Sequence, residues 1–405
     1  MRIRSVLPVA AAVLAACSSS TDVQPPVEPV RDFTTQEMRV AGNAAAFGFD
    51  LLREVHASAA EPNVLLSPLS ASMALGMTMN GAAGATLDAM RATLGFGGMD
   101  DSAVNAAYRG LISQLRARDP KVEFRLANSL WHERTFAVEA PFIESAQRHF
   151  DAKVTALDFS DPASVSRINN WAADATGNRI RDLLDRIDPL ERLFLVNAVY
   201  FKAPWSRAFE PASTRPRTFR TLAGADVQVP TMMRDAPTRY FMDDAVQMVE
   251  LPYGDSAFSM VLLMPTGDGA LDPLIASLDA GAWSSIMQRS ATGRVLLYMP
   301  KFRFDFAAEL NDPLASLGMG IAFDSDRADF SRINPQQDDL YITKVKQKAF
   351  IDVHELGTEA AAATSVGVGV TSMPPTVEFD RPFLFVITER DSGAILFIGR
   401  VGDPR

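Results

Sequence analysis

One cysteine in 405 residues, Cys17, leaves no partner for an intrachain disulfide. The fold must therefore be held by packing and hydrogen bonds alone. Histidine is nearly as scarce. His56, His132, His149 and His354 are scattered, with neither an HExxH pair nor Cys/His ligand spacing, so no metal site is expected. No Walker-type or GxGxxG loop occurs, so no nucleotide is expected either; nothing else in the chain calls for a cofactor. Basic residues never gather into a long run, and 39 of them against 49 acidic residues give a net charge of −10. That balance argues against nucleic acid as a partner. The stretch from Arg116 to Lys121 reads as ordinary solvated surface.

Hydrophobic residues make up 47% of the chain, ample for a large core. The first part of the chain stands apart. Met1-Arg-Ile-Arg is a positive head, and Val6 to Ala16 is an apolar stretch too short to span a bilayer. It ends Leu14-Ala15-Ala16-Cys17, which resembles the lipobox of bacterial lipoproteins. Small residues suit the narrow pocket of the signal peptidase, and the Cys17 thiolate would take the diacylglyceryl group. The resemblance implies a signal peptide at 1–16, then lipidated Cys17 and a polar, proline-punctuated tether at 17–32 containing Pro25, Pro26 and Pro29. Several acyl chains would make a firm membrane anchor. Ser18 after the cysteine resembles lipoproteins sorted to the outer membrane, so the expected place is the bacterial cell envelope, on its periplasmic or exterior side.

From residue 33 to 405 no second linker and no repeat interrupts the chain. Helical patterns cover Gln36–Val55, Pro68–Met79, Ala85–Leu94, Ala103–Arg118 and Ala140–His149. Pro68 fits a first helical turn, where a missing N–H does no harm. Strand patterns cover Phe124–Trp131, Leu193–Phe201, Ala245–Leu251, Phe258–Met264, Val295–Phe304, Leu340–Val353, Phe383–Thr388 and Ala394–Val401. Long strands without strict βαβ alternation predict one large α+β domain. Gly254-Asp255-Ser256 resembles the nucleophile motif of one family of serine esterases, with Asp352 and His354 as partners. It follows Pro252-Tyr253 and precedes an apolar strand, so a turn is expected there, and no enzyme.

The most informative stretch runs from Glu355 to Pro375. Between Ala360 and Met373 it has no charge, no proline and no aromatic residue, although a solvated linker would freely use the first two. It also has a period of two. Thr358, Ala360, Ala362, Thr364, Val366, Val368 and Val370 share one face, apolar or β-branched, and small or polar residues make up the other. Glycine and alanine nevertheless make it a poor strand by propensity. It reads as a loop with the pattern of a strand it has yet to become.

Glu355-x-Gly357-Thr358-Glu359-Ala360-Ala361-Ala362-Ala363-Thr364 resembles the hinge of inhibitory serpins. Serpin-like blocks extend over nearly the whole mature chain: Asn63-Val-Leu-Leu-Ser67-Pro-Leu-Ser70, Asn197-Ala-Val-Tyr-Phe-Lys-Ala-Pro-Trp205, Ala328-Asp329-Phe330-Ser331, Asp380-Arg381-Pro382-Phe383 and Phe397-Ile398-Gly399-Arg400-Val401. The resemblance implies helices around three β-sheets, the central one able to accept the reactive loop (about 355–375) as an extra strand. It implies a monomeric suicide inhibitor in covalent complex with a serine protease. The bait bond would be Thr371–Ser372, with Val370–Thr371 as the rival. Thr358 would need no burial before cleavage and would be the first residue of the inward face to enter the sheet. Ser67, Ser70 and Asn197 match the polar cluster that controls sheet opening; Gln347 stands where many relatives have histidine. Trp205 would pack at the top of the sheet, where Lys301 would form an exposed pair with Glu355. A non-inhibitory serpin, acting as a binding or chaperone-like module, is the alternative; such relatives typically carry bulky, charged or proline residues in the hinge.

Overall fold

The computed structural model describes residues 29–188, 191–267, 269–336, 339–359 and 374–405. Its principal helices are α1 (Thr35–Ser58), α2 (Pro68–Met79), α3 (Gly84–Thr93), α4 (Asp101–Ala117), α5 (Ala140–Phe150), α6 (Ala163–Ala175), α7 (Leu271–Ser277) and α8 (Ala280–Arg289). The first strands are β1 (Val64–Leu66), β2 (Glu123–Glu133), β3 (Lys153–Leu157), β4 (Leu193–Pro204), β5 (Arg215–Arg220), β6 (Asp226–Met242), β7 (Val246–Tyr253) and β8 (Phe258–Pro265). The rest are β9 (Ala291–Pro300), β10 (Phe302–Glu309), β11 (Lys346–His354), β12 (Gly357–Thr358), β13 (Thr376–Glu378), β14 (Phe383–Glu389) and β15 (Ile395–Val401).

Local chemistry starts the helices where the sequence signals. Thr34 caps α1, and Glu37 completes a capping box while pairing with Arg31 at 2.7 Å. Pro68 opens α2 as its first residue. Ser67 precedes it but makes no side-chain cap, because its hydroxyl donates instead to the Leu396 carbonyl at 2.7 Å. α2 is buried along nearly its whole length between β4 and β15, and so forms a common floor for both sheets.

The strands form a six-stranded sheet, ordered β10-β11-β12-β4-β2-β3, and a nine-stranded one built on β1-β15-β14-β8-β7-β6-β9-β13 with β5 on β6. Where three sheets are expected, hydrogen bonding joins two of them. β6 is 17 residues long. It pairs with β5 at Asp226–Thr231, with β9 at Thr231–Tyr240 and with β7 at Arg239–Met242. The outer face of the six-stranded sheet carries α6 over a separate apolar cluster that includes Trp131, Ile168, Ile180 and Phe194.

Two expected strands end elsewhere. Val295–Phe304 divides at Lys301 into β9 and β10, which belong to different sheets. Leu340–Val353 is ladder only from Lys346, because its partner β10 ends at Glu309, opposite Lys346. Gly254-Asp255-Ser256 is the turn between β7 and β8, with φ of 49° at Gly254 and 79° at Ser256. Ser256 Oγ lies 3.3 Å from Ser206 Oγ, and His354 Nδ1 accepts from the Leu356 amide at 3.3 Å. The motif is a turn between strands.

Candidate functional site

The six-stranded sheet is two half-sheets, β10-β11 and β4-β2-β3. Among the described residues they are joined only through the two residues of β12. Gly357 pairs with His354 on one side and Pro204 on the other, and Thr358 with Val353 and Ala203. Gly357 has φ of 149°, a backbone region open to glycine and strained for other residues. Below this wedge the seam between β4 and β11 carries no ladder among the described residues. A narrow cavity of about 50 Å³ lies beneath it, lined by Ser70, Leu195, Asn197, Val345 and Gln347.

Thr358 is only 3% exposed. Thr358 is thus already buried before cleavage, where no burial was expected to be needed. Tyr253 supplies the reason: it is fully buried, burial pushes its phenol far above the ordinary range, and its hydroxyl needs a partner. Thr358 Oγ1 lies 2.6 Å from it. Tyr253 stacks on Trp205 at 4.4 Å and 12°. The Trp205 indole donates to the His354 carbonyl at 2.9 Å, and its amide to the Leu356 carbonyl at 2.9 Å. Trp205 therefore grips the chain just before the hinge.

The wedge stops at Glu359, whose φ of 54° turns the chain away from strand geometry. Its carboxylate accepts from Tyr200 Oη at 3.0 Å and Arg179 Nε at 3.1 Å, and its side chain is 4% exposed. Burial and the neighbouring Glu359 charge push the Tyr200 phenol above its ordinary range. Arg179 also lies over the Phe350 ring of β11 at 5.3 Å. This clamp spans the seam from β4 to β11. Sequence reasoning missed both of its donors. Tyr200 lies inside a block already singled out, whereas Arg179 follows α6 with no distinguishing signal.

Glu355 accepts from Thr214 Oγ1 at 2.8 Å and pairs with Lys301 Nζ at 3.0 Å. The pair is less exposed than expected, for Glu355 is 9% exposed. Burial alone would raise its carboxyl, but its own backbone amide, Lys301 and Thr214 together hold it below the ordinary value.

Under the middle of the seam each half-sheet is fastened to the α2 floor separately. Gln347 of β11 receives the Ser67 amide at 2.9 Å and donates to the Ser67 carbonyl at 3.0 Å. Asn197 of β4 accepts from Ser70 Oγ and donates to Asn128 Oδ1 at 2.6 Å. Asn128 donates in turn to the Phe150 carbonyl at 2.7 Å. Asn128 was not anticipated; its signal is an asparagine directly opposite Asn197 in the β2–β4 ladder. No bond in this group crosses directly from β4 to β11, so the halves can part without orphaning a buried polar group.

A family profile described as Serpin (serine protease inhibitor) matches residues 42–404. The chain belongs to the serpin family. It is 35% identical to an uncharacterized serpin-like protein of Thermococcus kodakarensis, over 91% of this chain and 87% of that one. It is 33% identical to glia-derived nexin of Homo sapiens, over 88% and 92%. Among solved serpins, the thermophilic serpin tengpin in its native state superposes with a TM-score of 0.82 at 30% identity, covering 93% of this chain and 97% of that one. Human thyroxine-binding globulin complexed with its hormone gives 0.83 at 26% identity, over 91% and 99%. Of the serpin-like positions in this chain, Ala360, Ala361, Ala362, Ala363, Thr364, Thr371 and Ser372 lie outside the described residues, as does Cys17. The chain re-enters at Pro374, and the Pro375 carbonyl accepts from the Leu296 amide at 3.0 Å at the edge of the nine-stranded sheet.

Proposed function

We propose that this serpin is a suicide inhibitor of serine proteases, anchored by lipid on Cys17, that traps its target by inserting residues from Thr358 to Thr371 into the seam between β4 and β11. The observation that carries the reading is β12: the hinge already begins a strand in register with both neighbours. A protease serine would attack the Thr371 carbonyl, forming an ester and releasing Ser372 as the new amino terminus. Fourteen residues at ~3.3 Å give a strand of roughly 45 Å, so the attached protease would be carried a comparable distance. Ten or more new backbone hydrogen bonds, at ~0.5–1.5 kcal/mol each, contribute on the order of 10 kcal/mol. A small β-branched residue before the bait bond favours elastase-like or subtilisin-like enzymes over trypsin-like ones, which require Arg or Lys.

The match to thyroxine-binding globulin supports the second reading, a non-inhibitory binding module, since this fold can carry a hormone. Hinge composition favours inhibition: Ala360 to Ala363 offer nothing bulky to hinder entry into a packed sheet. Incubation with pancreatic elastase tests the choice. Inhibition requires a complex that survives boiling in SDS and a released peptide beginning at Ser372. A peptide beginning at Thr371 moves the bait bond to Val370–Thr371, and cleavage without any complex removes the inhibitor reading. Cys17→Ser should release the protein from membranes and abolish palmitate incorporation.

A further inference from the structure

The place where the tether leaves the domain bears on which proteases can be met. α4 acts as a ruler along the molecule. Its first residue, Asp101, pairs with Arg332 at 3.1 Å. Arg332 lies between Phe330 and Ile333, which line a cavity of about 530 Å³ together with Leu193, the far end of β4. That is the foot of the seam. Seventeen helical residues later, about 25 Å away, the other end of α4 holds the first described residues of the chain. The Gln114 amide donates to the Pro29 carbonyl at 3.2 Å, and Gln114 Oε1 accepts from the Arg31 amide at 2.8 Å. Arg118 donates to the Arg31 carbonyl at 2.7 Å and lies 4.4 Å over the Phe33 ring.

From that point a short run of contacts leads to the hinge. Asp119 accepts from the Asp255 amide at 2.7 Å, the Gly254 amide donates to the Pro204 carbonyl at 2.9 Å, and Pro204 pairs with Gly357. At ~3.8 Å per chain step and ~5 Å per strand-like contact, Arg31 and the hinge are within roughly 30 Å. The tether exit and the hinge that opens the reactive loop therefore share one end of the domain. Cys17 to Pro29 is twelve chain steps, a reach of at most about 40 Å.

We infer that the reactive loop is presented at the membrane-facing end, so that the partner is a protease working at the surface of the same membrane, and that trapping carries it to the membrane-distal end. This rests on the lipid-anchor and inhibitor readings above. A domain held by one end has its bulk pushed outward by the impenetrable membrane, leaving the attached end innermost. Strand insertion then runs from the hinge toward the foot, away from the membrane.

The orientation is measurable because Cys17, once lipidated, leaves no other thiol in the chain. A dye on Glu210→Cys reports the loop end, since Phe209 donates its amide to the Glu355 carbonyl at 2.8 Å. A dye on Asp185→Cys reports the foot, where the native Asp185 carboxylate is 86% exposed beside Lys346. With the lipidated protein on phosphatidylcholine vesicles bearing a headgroup acceptor, energy transfer should be at least about twofold greater from residue 210; equal or reversed transfer overturns the inference. Pancreatic elastase tethered to the same vesicles through a short linker should be trapped about tenfold faster than free elastase at equal total concentration; slower trapping also overturns it. Failure of the protein to float with vesicles removes the anchor reading and the inference with it. Floating protein that forms no SDS-stable complex with free elastase removes the inhibitor reading and the partner assignment, leaving only the orientation.

Discussion

The two ends of the hinge wedge are held by different chemistry. On the inner side Thr358 is sealed in a dry aromatic pocket by one hydroxyl contact to Tyr253, beneath the Trp205 stack. On the outer side Glu359 is held by an ionic clamp whose cation, Arg179, is 40% exposed. A dry contact with matched shapes is costly to disturb, whereas the clamp opens to water at its Arg179 end, where the guanidinium can exchange its partner for solvent. The comparison teaches how a strand can be started and yet halted. The first residue is committed to the sheet, and the second is turned aside by bonds that can be released.

The largest expected effect falls on the dry side. Thr358→Arg would force an unpartnered guanidinium into a site 3% exposed, costing about 3–5 kcal/mol or expelling the wedge. The melting temperature of uncleaved protein should drop, and elastase should leave cleaved inhibitor with little complex. An unchanged melting temperature would show that Thr358 is not seated where the structure has it. Next comes the floor beneath the seam. Asn197→Ala strands the Ser70 hydroxyl and an Asn128 acceptor, and Gln347→Ala strands the Ser67 amide, while the Ser67 carbonyl keeps the Ala71 amide as donor. Each should lower stability by about 1–3 kcal/mol in denaturant titrations. Because the two fasten different half-sheets, their effects should be nearly additive in a double mutant.

A smaller effect belongs to the clamp. Arg179→Ala should cost about 1 kcal/mol, since the guanidinium is 40% exposed and Tyr200 still donates to the buried Glu359 carboxylate, yet it should speed insertion, read as a higher ratio of trapped to cleaved inhibitor. A lower ratio would assign Arg179 a purely supporting role. The smallest is the acid response of Glu355. Its folded carboxyl titrates below the ordinary value of 4.5, so its contribution is present above that pH and is lost as pH falls through the folded value. Glu355→Gln should remove this part of the acid sensitivity between pH 6 and 3, measured by thermal unfolding; an unchanged profile would show that the pair carries none of it.

Much of the architecture was legible because it follows from periodicity and from signals at the helix ends. α2 begins at Pro68 and ends at Met79 as its pattern indicates. What was hidden depends on partners distant in sequence. Leu340 to Val345 alternates like a strand but outruns β10, the ladder that would hold it. Burial of Thr358 depends on a tyrosine 105 residues away, and the halt at Glu359 depends on an arginine whose neighbours carry no pattern. The hinge composition was readable as a strand in waiting; that its first residue had already entered was not.

Trapping as proposed requires that the seam receive the cleaved loop as a strand. Hydrogen exchange of backbone amides, followed by mass spectrometry before and after cleavage at the loop, addresses it most directly. Peptides covering Leu193–Val199 and Lys346–Asp352 should gain strong protection on cleavage, while β14 and β15 stay unchanged. Cleavage that leaves exchange along β4 and β11 as it was would contradict it.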